Sequence, residues 1–277
     1  MKLLKGLFFT SWRNSDIGIC LSGGGALGFA HIGVLQALED HDIYPKHIVG
    51  TSMGAIIGVF YAAGYSPASM LQMIKEDKLY KITKLMTFHS TFLKSGLSDH
   101  TMLRNLIKEQ IPHNSFSELK RRFHVGVVNL KNADWEIKSS GDLDLWVAAS
   151  ASIPGIFEAI NVDGSFYVDG GLLNNMPAQA LEEYSPTIIG SDVIPHIKPT
   201  ELNKTIDTLA CSVRAMQHQN SREGRDLCRF LIEPMAVEKY HEFSFEAYSE
   251  IYQYGYSTTT KFIKRNPEML KFSTKVG

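Results

Sequence analysis

Cysteine is scarce, neither sign of charge dominates, and no long hydrophobic run occurs; each of these absences removes a class of protein. Cys20, Cys211 and Cys228 are odd in number and widely spaced, with no CxxC pair and no histidine at ligand spacing. That argues against a disulfide frame or a zinc site and fits buried thiols in a reducing compartment. Lys and Arg number 28 and Asp and Glu 29, for a formal net charge of -1. No global positive field then exists to hold nucleic acid or an anionic bilayer, so any membrane contact is local. No segment reaches the roughly 18 to 20 uninterrupted apolar residues of a membrane span. The opening MKLLKGLFFTSWRNS has its apolar run broken by Lys5 and Gly6 and lacks a small-residue cleavage site. It reads poorly as a secretory signal; Leu3 to Phe9 is expected to pack on the domain or to act as a small interfacial anchor. The expected location is cytoplasmic, with peripheral contact to a membrane.

What is present is an ordinary globular balance, 44% hydrophobic and 21% charged over 277 residues, enough to bury one large core. Short apolar runs that read as strands recur at Asp16 to Ser22, His47 to Thr51, Phe123 to Leu130, Trp135 to Ser139, Ser165 to Val168, Thr187 to Asp192 and Arg229 to Glu233. Helical spacing lies between most of them: Ala30 to Glu39, the run from Gly54 to Ala63, Pro177 to Glu183, Leu202 to Ser221 and Phe243 to Lys264. Such alternation predicts a three-layer α/β/α domain with a mostly parallel central sheet, spanning the whole chain. Residues 66–122 break the rhythm and read as a helical insertion. Within it, Lys78 to Leu97 mixes large apolar residues with lysines, which suits a lid over an apolar cleft or a helix packed on the core.

Chemistry concentrates in two glycine-rich turns. In GTSMGA, Ser52 stands between Gly50 and Gly54, after a β-branched run and before an apolar helix. A serine hydroxyl is a weak nucleophile, and this context presents it on a sharp strand-to-helix turn where the helix dipole favours negative charge. In GGGALG, residues 23 to 28, the lack of Cβ atoms lets backbone N–H groups converge into an anion site. A P-loop is excluded because no Lys-Ser or Lys-Thr follows. A dinucleotide fold has Glu39 or Asp40 downstream as a ribose partner but leaves the serine elbow unexplained. An oxyanion hole for Ser52 accounts for both turns, because neighbouring parallel strands end at the same sheet edge. A base is still needed. Asp169, in FYVDGGLLNN, ends an apolar run before two glycines and is expected at that edge, whereas Asp163 reads as an ordinary hairpin turn. Spacing alone also allows a triad completed by His196, His218 or His241, and His31 either faces the site or packs at a helix start.

Together GGGALGFAHIGVLQAL, GTSMGA, ASASIPGIFEA and DGGLLNNMP resemble the patatin-like phospholipase family, in the bacterial branch similar to the neuropathy target esterase catalytic domain. The likeness runs from about Ile17 to Gly190. It implies a Ser-Asp dyad without histidine: Ser52 as nucleophile, Asp169 as proton acceptor, and the loop containing Gly23, Gly24, Gly25 and Gly28 as oxyanion hole. It also implies lipid ester hydrolysis with no metal or cofactor, the alternatives being an acyltransferase on the same acyl-enzyme or a lipid-binding relative without turnover. One departure stands out. Many relatives carry Arg or Lys in the glycine loop where this chain has Ala26 and Leu27, so any positive charge supporting the oxyanion comes from elsewhere or is absent, and backbone donors could suffice. Pro154 in the IPGI block is expected in the cleft wall or in a simple turn.

Overall fold

The computed structural model describes residues 17–76, 100–194 and 205–274. Leu3 to Phe9, Lys78 to Leu97 and His196 lie outside them. The chain opens as β1 (Ile17–Leu21), α1 (Phe29–Asp40), β2 (His47–Gly50) and α2 (Met53–Ala63). Two further helices follow, α3 (Pro67–Lys75) and α4 (Thr101–Gln110). Then come β3 (Arg122–Asn129), β4 (Asp134–Lys138), α5 (Leu143–Ser150), β5 (Ile160–Val162) and β6 (Ser165–Asp169). The chain ends with β7 (Thr187–Ser191), α6 (Thr205–Asn220), α7 (Arg222–Leu227), β8 (Phe230–Ile232) and α8 (Tyr248–Arg265).

The strands form one sheet in the order β5-β6-β3-β2-β1-β7-β8, with β4 paired to β3. Strands β3, β2, β1, β7 and β8 run parallel, while β4 and β6 pair antiparallel with β3 and β5 antiparallel with β6. Strand side chains alternate between faces, and β1 shows both. Ile17, Ile19 and Leu21 enter the larger core, with α1, α2 and α8; Cys20 enters a smaller one with Val49, Met176, Leu181 and Ile188. Helical material on both faces makes the three layers.

The β3 pairings decide where the loops meet. Val125 pairs with Gly50 of β2 and with Lys138 of β4, so those two strands occupy opposite edges of β3. Val127 pairs with Glu136 of β4 and with Asp169 of β6, which puts β6 on the β2 edge. β3 has 8 residues and β2 only 4, so β6 docks on the half of β3 that β2 leaves open. The C-terminal ends of β2 and β6 therefore point at each other across Gly126.

Helix α1 is buried nearly all round, and α8 crosses it at very close range. A Cβ on Gly33 would collide with the Tyr252 carbonyl oxygen, and one on Gly255 with that of Ala30. Only residues without side chains allow this crossing, which seals one face of the domain.

Several elements differ from the sequence reading. Pro177 to Glu183 forms only a 3-10 turn over Ala178–Leu181, and the last helix begins at Tyr248 rather than Phe243. Helix α5 was not predicted from the sequence; Asp144 anchors it to α4 by accepting from Arg104 at 2.6 Å. The described part of residues 66–121 holds helices and no strand, and Met70, Ile74, Leu103 and Ile107 join the main core. Of the three cysteines, Cys20 is buried but Cys211 and Cys228 are partly exposed, and all are free thiols.

Candidate active site

Ser52 sits between β2 and α2 with φ 53° and ψ -122°. That left-handed backbone is strained for a residue with a Cβ, by about 1 to 3 kcal/mol. The flanking glycines make it possible. A Cβ on Gly50 would strike the Gly54 carbonyl, and one on Gly54 would strike that of Leu21. The turn is held from outside by a residue that the sequence reading did not single out: Ser52 N–H donates to Ser150 Oγ at 2.9 Å, and Ser150 Oγ–H donates to the Gly126 carbonyl at 2.7 Å. Ser150 ends α5, inside the ASASIPG block whose small residues were its only visible signal. Ser150→Ala is expected to leave both groups unpaired and cost about 1 to 3 kcal/mol, measurable by denaturant unfolding.

Asp169 ends β6 opposite Ser52. Its Oδ1 accepts from Gly171 N–H at 2.8 Å, while Oδ2 is buried without a hydrogen-bond partner. Burial raises the carboxyl pKa to about 6, against the lowering effects of the Ser52 hydroxyl and the Gly171 N–H. Among the described residues no histidine contributes to this shift. Of the candidate triad members, His241 is exposed and His218 lies on α6. Asp163 occupies the two-residue turn of the β5–β6 hairpin, with φ 50° beside Gly164 at φ 78°. Pro154 is exposed in the turn that follows α5.

The glycine loop lies directly against this pair. A Cβ on Gly23 would come within 3.2 Å of Ser52 Cβ, and one on Gly28 would collide with Met53. Gly23 N–H is not available to a ligand, since it donates to Asn175 Oδ1 at 3.1 Å. The N–H groups of Gly24 and Gly25, at the start of a 3-10 turn, and of Met53, first in α2, find no acceptor among the described residues. Ala26 and Leu27 are fully buried. Ala26 N–H donates to the Glu242 carbonyl at 2.8 Å, and the Glu242 carboxylate is paired with Arg214, so α6 clamps the loop.

His31 packs beneath the loop rather than facing Ser52. Its Nε2 lies 2.9 Å from the Ser22 carbonyl, which can only accept, so Nε2 carries the proton and Nδ1 accepts from Ser191 Oγ–H at 2.8 Å. Burial lowers its pKa to about 4. Protonation then opposes folding, so stability is full above about pH 6.5 and declines as pH falls toward 4, by about 3 kcal/mol. Urea unfolding at pH 7 and pH 4 is expected to show this loss, and a smaller one in His31→Gln.

A serine hydroxyl, a buried carboxylate and N–H groups without acceptors are the kinds of group that acyl transfer uses. Among the described residues no group of three or more His, Cys, Asp or Glu side chains could hold a metal ion. No single described helix is long and apolar enough to cross a membrane.

Lysophospholipase NTE1 from Meyerozyma guilliermondii is 25% identical over 88% of the chain, and that from Lodderomyces elongisporus 26% over 95%. The chain spans about a fifth of the length of these curated relatives, 19% and 21% respectively. Among solved structures, VipD from Legionella pneumophila superposes with a TM-score of 0.55 at 14% identity, covering 91% of this chain and 67% of that one, which supports the fold alone. The family model described as patatin-like phospholipase matches residues 19–182, more than half of the sequence, and all four motifs from GGGALGFAHIGVLQAL to DGGLLNNMP lie within it. The chain therefore belongs to the patatin-like phospholipase family.

Proposed function

We propose that this chain is a serine acyl hydrolase that cleaves carboxylic esters of lipids, with lysophospholipids as the substrate class, using Ser52 and Asp169 as its only catalytic side chains. The observation that carries the reading is the buried Asp169 carboxyl within reach of the Ser52 hydroxyl, which lowers its pKa, on a strained elbow beside N–H groups without acceptors among the described residues. Relatives named as lysophospholipases support the substrate class.

Asp169, ionised above about pH 6, takes the Ser52 proton as Oγ attacks the ester carbonyl. Negative charge on the carbonyl oxygen is held by the N–H groups of Gly24, Gly25 and Met53, each such donor being worth about 3 to 4 kcal/mol. Collapse breaks the ester C–O bond, and the leaving alkoxide takes the proton from Asp169, leaving an acyl-enzyme. Water, deprotonated by Asp169, attacks that ester in turn; the fatty acid departs and Ser52 recovers its proton. Contact with the lipid surface is local, in keeping with a net charge of -1.

A fluorophosphonate probe is expected to label the wild type but not Ser52→Ala, and fatty acid release from lysophosphatidylcholine is expected to follow the same pattern. A wild type that neither reacts with the probe nor releases fatty acid would defeat the proposal, as would an Asp169→Asn variant with an undiminished rate. Transfer of the acyl group to added lysolipid, in preference to water, would convert it to an acyltransferase.

A further inference from the structure

A second concave site lies at the opposite end of β2 and β3 from Ser52. β4 leaves β3 after Lys138 pairs with Val125, so the β3 edge at Arg122–His124 that faces away from β2 has no strand beside it among the described residues. A cavity of about 540 Å³ opens there. Its wall includes Lys120, Arg121, Arg122, His124, Ser139 and Tyr184, and no Asp or Glu lines it. In a chain whose acids slightly outnumber its bases, three successive cations in an acid-free cavity form a local positive field.

The cations divide by what already holds them. Arg121 is committed to the fold, donating to the Tyr61 carbonyl at 2.6 Å with its guanidinium 4.1 Å from the Tyr61 ring centroid. Arg122 and Lys120 form no ion pair among the described residues, and the Arg122 guanidinium rests 4.4 Å from the Tyr184 ring centroid. His124 supplies the independent sign of a ligand. It is only 4% exposed, stacked 5.2 Å from Tyr184, and its Nε2 has no hydrogen-bond partner. An unpaired polar atom in such a place is costly unless something binds it. Burial lowers its pKa to about 4, and the charges of Arg122 and of His47 of β2 tip the balance further toward the neutral ring. A dianion seated against Arg122 would reverse that balance.

We propose that this cavity is a second binding site, for a phosphate-bearing ligand, in which Arg122 and Lys120 supply the charge and His124 Nε2 a hydrogen bond. Phosphate fits because it accepts several charge-assisted hydrogen bonds at once from arginine, lysine and imidazolium. The site is separate from the Ser52 centre, so it holds an effector or an anchoring head group rather than the ester being cleaved.

Inorganic phosphate and glycerol 3-phosphate, titrated into the full chain at constant ionic strength, are expected to raise its melting temperature saturably. The same titration followed by NMR is expected to shift the His124 ring resonances and raise the pH at which they titrate. In Arg122→Gln combined with Lys120→Gln, both on the exposed surface, binding should weaken about tenfold or more while ester hydrolysis is unchanged. His124→Phe, which keeps the stack on Tyr184, should weaken binding similarly and separates loss of the ligand bond from misfolding. Sedimentation with phosphatidylcholine vesicles containing phosphatidic acid separates the sources. Arg122-dependent sedimentation assigns the site to a lipid head group, and soluble phosphate binding without it assigns the site to a free phosphate ester. Absence of saturable binding by either source, unmoved His124 resonances, or full binding by the double variant overturns the proposal.

Discussion

Asp169→Asn is expected to cut turnover by about a hundredfold or more and at the same time to make the protein more stable at pH 8. Both effects come from the burial of one carboxyl group. Its folded pKa of about 6 lies roughly two units above the ordinary 3.8, so folding favours the protonated form. A group shifted upward contributes stability below its unfolded pKa and loses it as pH rises through the folded value. At pH 8 the buried carboxylate therefore costs about 3 kcal/mol relative to a neutral group. Asparagine removes that cost, and its Oδ1 can still accept from Gly171 N–H. The gain should appear in urea unfolding at pH 8 and vanish below about pH 4, where the wild-type group is also neutral. Catalysis moves the other way. Without a base, the rate should fall about 10²- to 10⁴-fold, and wild-type kcat/KM should rise with pH through about 6 to a plateau. A variant no more stable than wild type at pH 8 would show that the carboxylate is better solvated than its burial implies.

Gly255→Val is expected to be the most destabilising single change in the α8 layer. Three Ala30 atoms, the carbonyl oxygen and carbon and Cα, lie within 3 Å of where a Cβ would stand. They belong to the backbone of a buried helix and cannot swing aside as a side-chain tip would. The crossing must open, and Gly33, which meets Tyr252 from the other side, must open with it. The gain in helix propensity on leaving glycine is below about 1 kcal/mol. Overpacking outweighs it, for a net loss of about 4 kcal/mol or more. Gln253→Ala, on the exposed side of the same helix, should change stability by less than about 0.5 kcal/mol in the same unfolding experiment. Similar effects of the two substitutions would mean that the helices are not in contact at Gly255.

Local sequence was a good guide wherever the physics is local. The short apolar run from Asp16 to Ser22 revealed β1, and the turn chemistry of Asp163 and Gly164 revealed the hairpin. The elbow could be read because Gly50 and Gly54 are needed within a few residues of Ser52. Ser150 and Asn175 could not be read in this way. A serine and an asparagine occur in any loop, and their importance lies in partners about 100 and 150 residues distant, the N–H groups of Ser52 and Gly23. α5 was missed for a related reason: its few apolar residues are buried by contacts from the sheet and α4, which a short window does not contain.

From its sequence alone this chain declares a serine on a strand-to-helix turn, a glycine loop for an anion and a carboxylate at a strand end, because each needs only the backbone preferences of a few adjacent residues. That these parts meet was decided by the sheet. Asp169 was expected at the site as the end of an apolar run before two glycines, yet β6 is antiparallel to β3, and along a full-length neighbour it would end at the wrong edge. It reaches Ser52 because β3 is twice as long as β2 and offers β6 its remaining half. Strand length and register are set by pairing energy summed over the whole sheet, and no single segment carries that information.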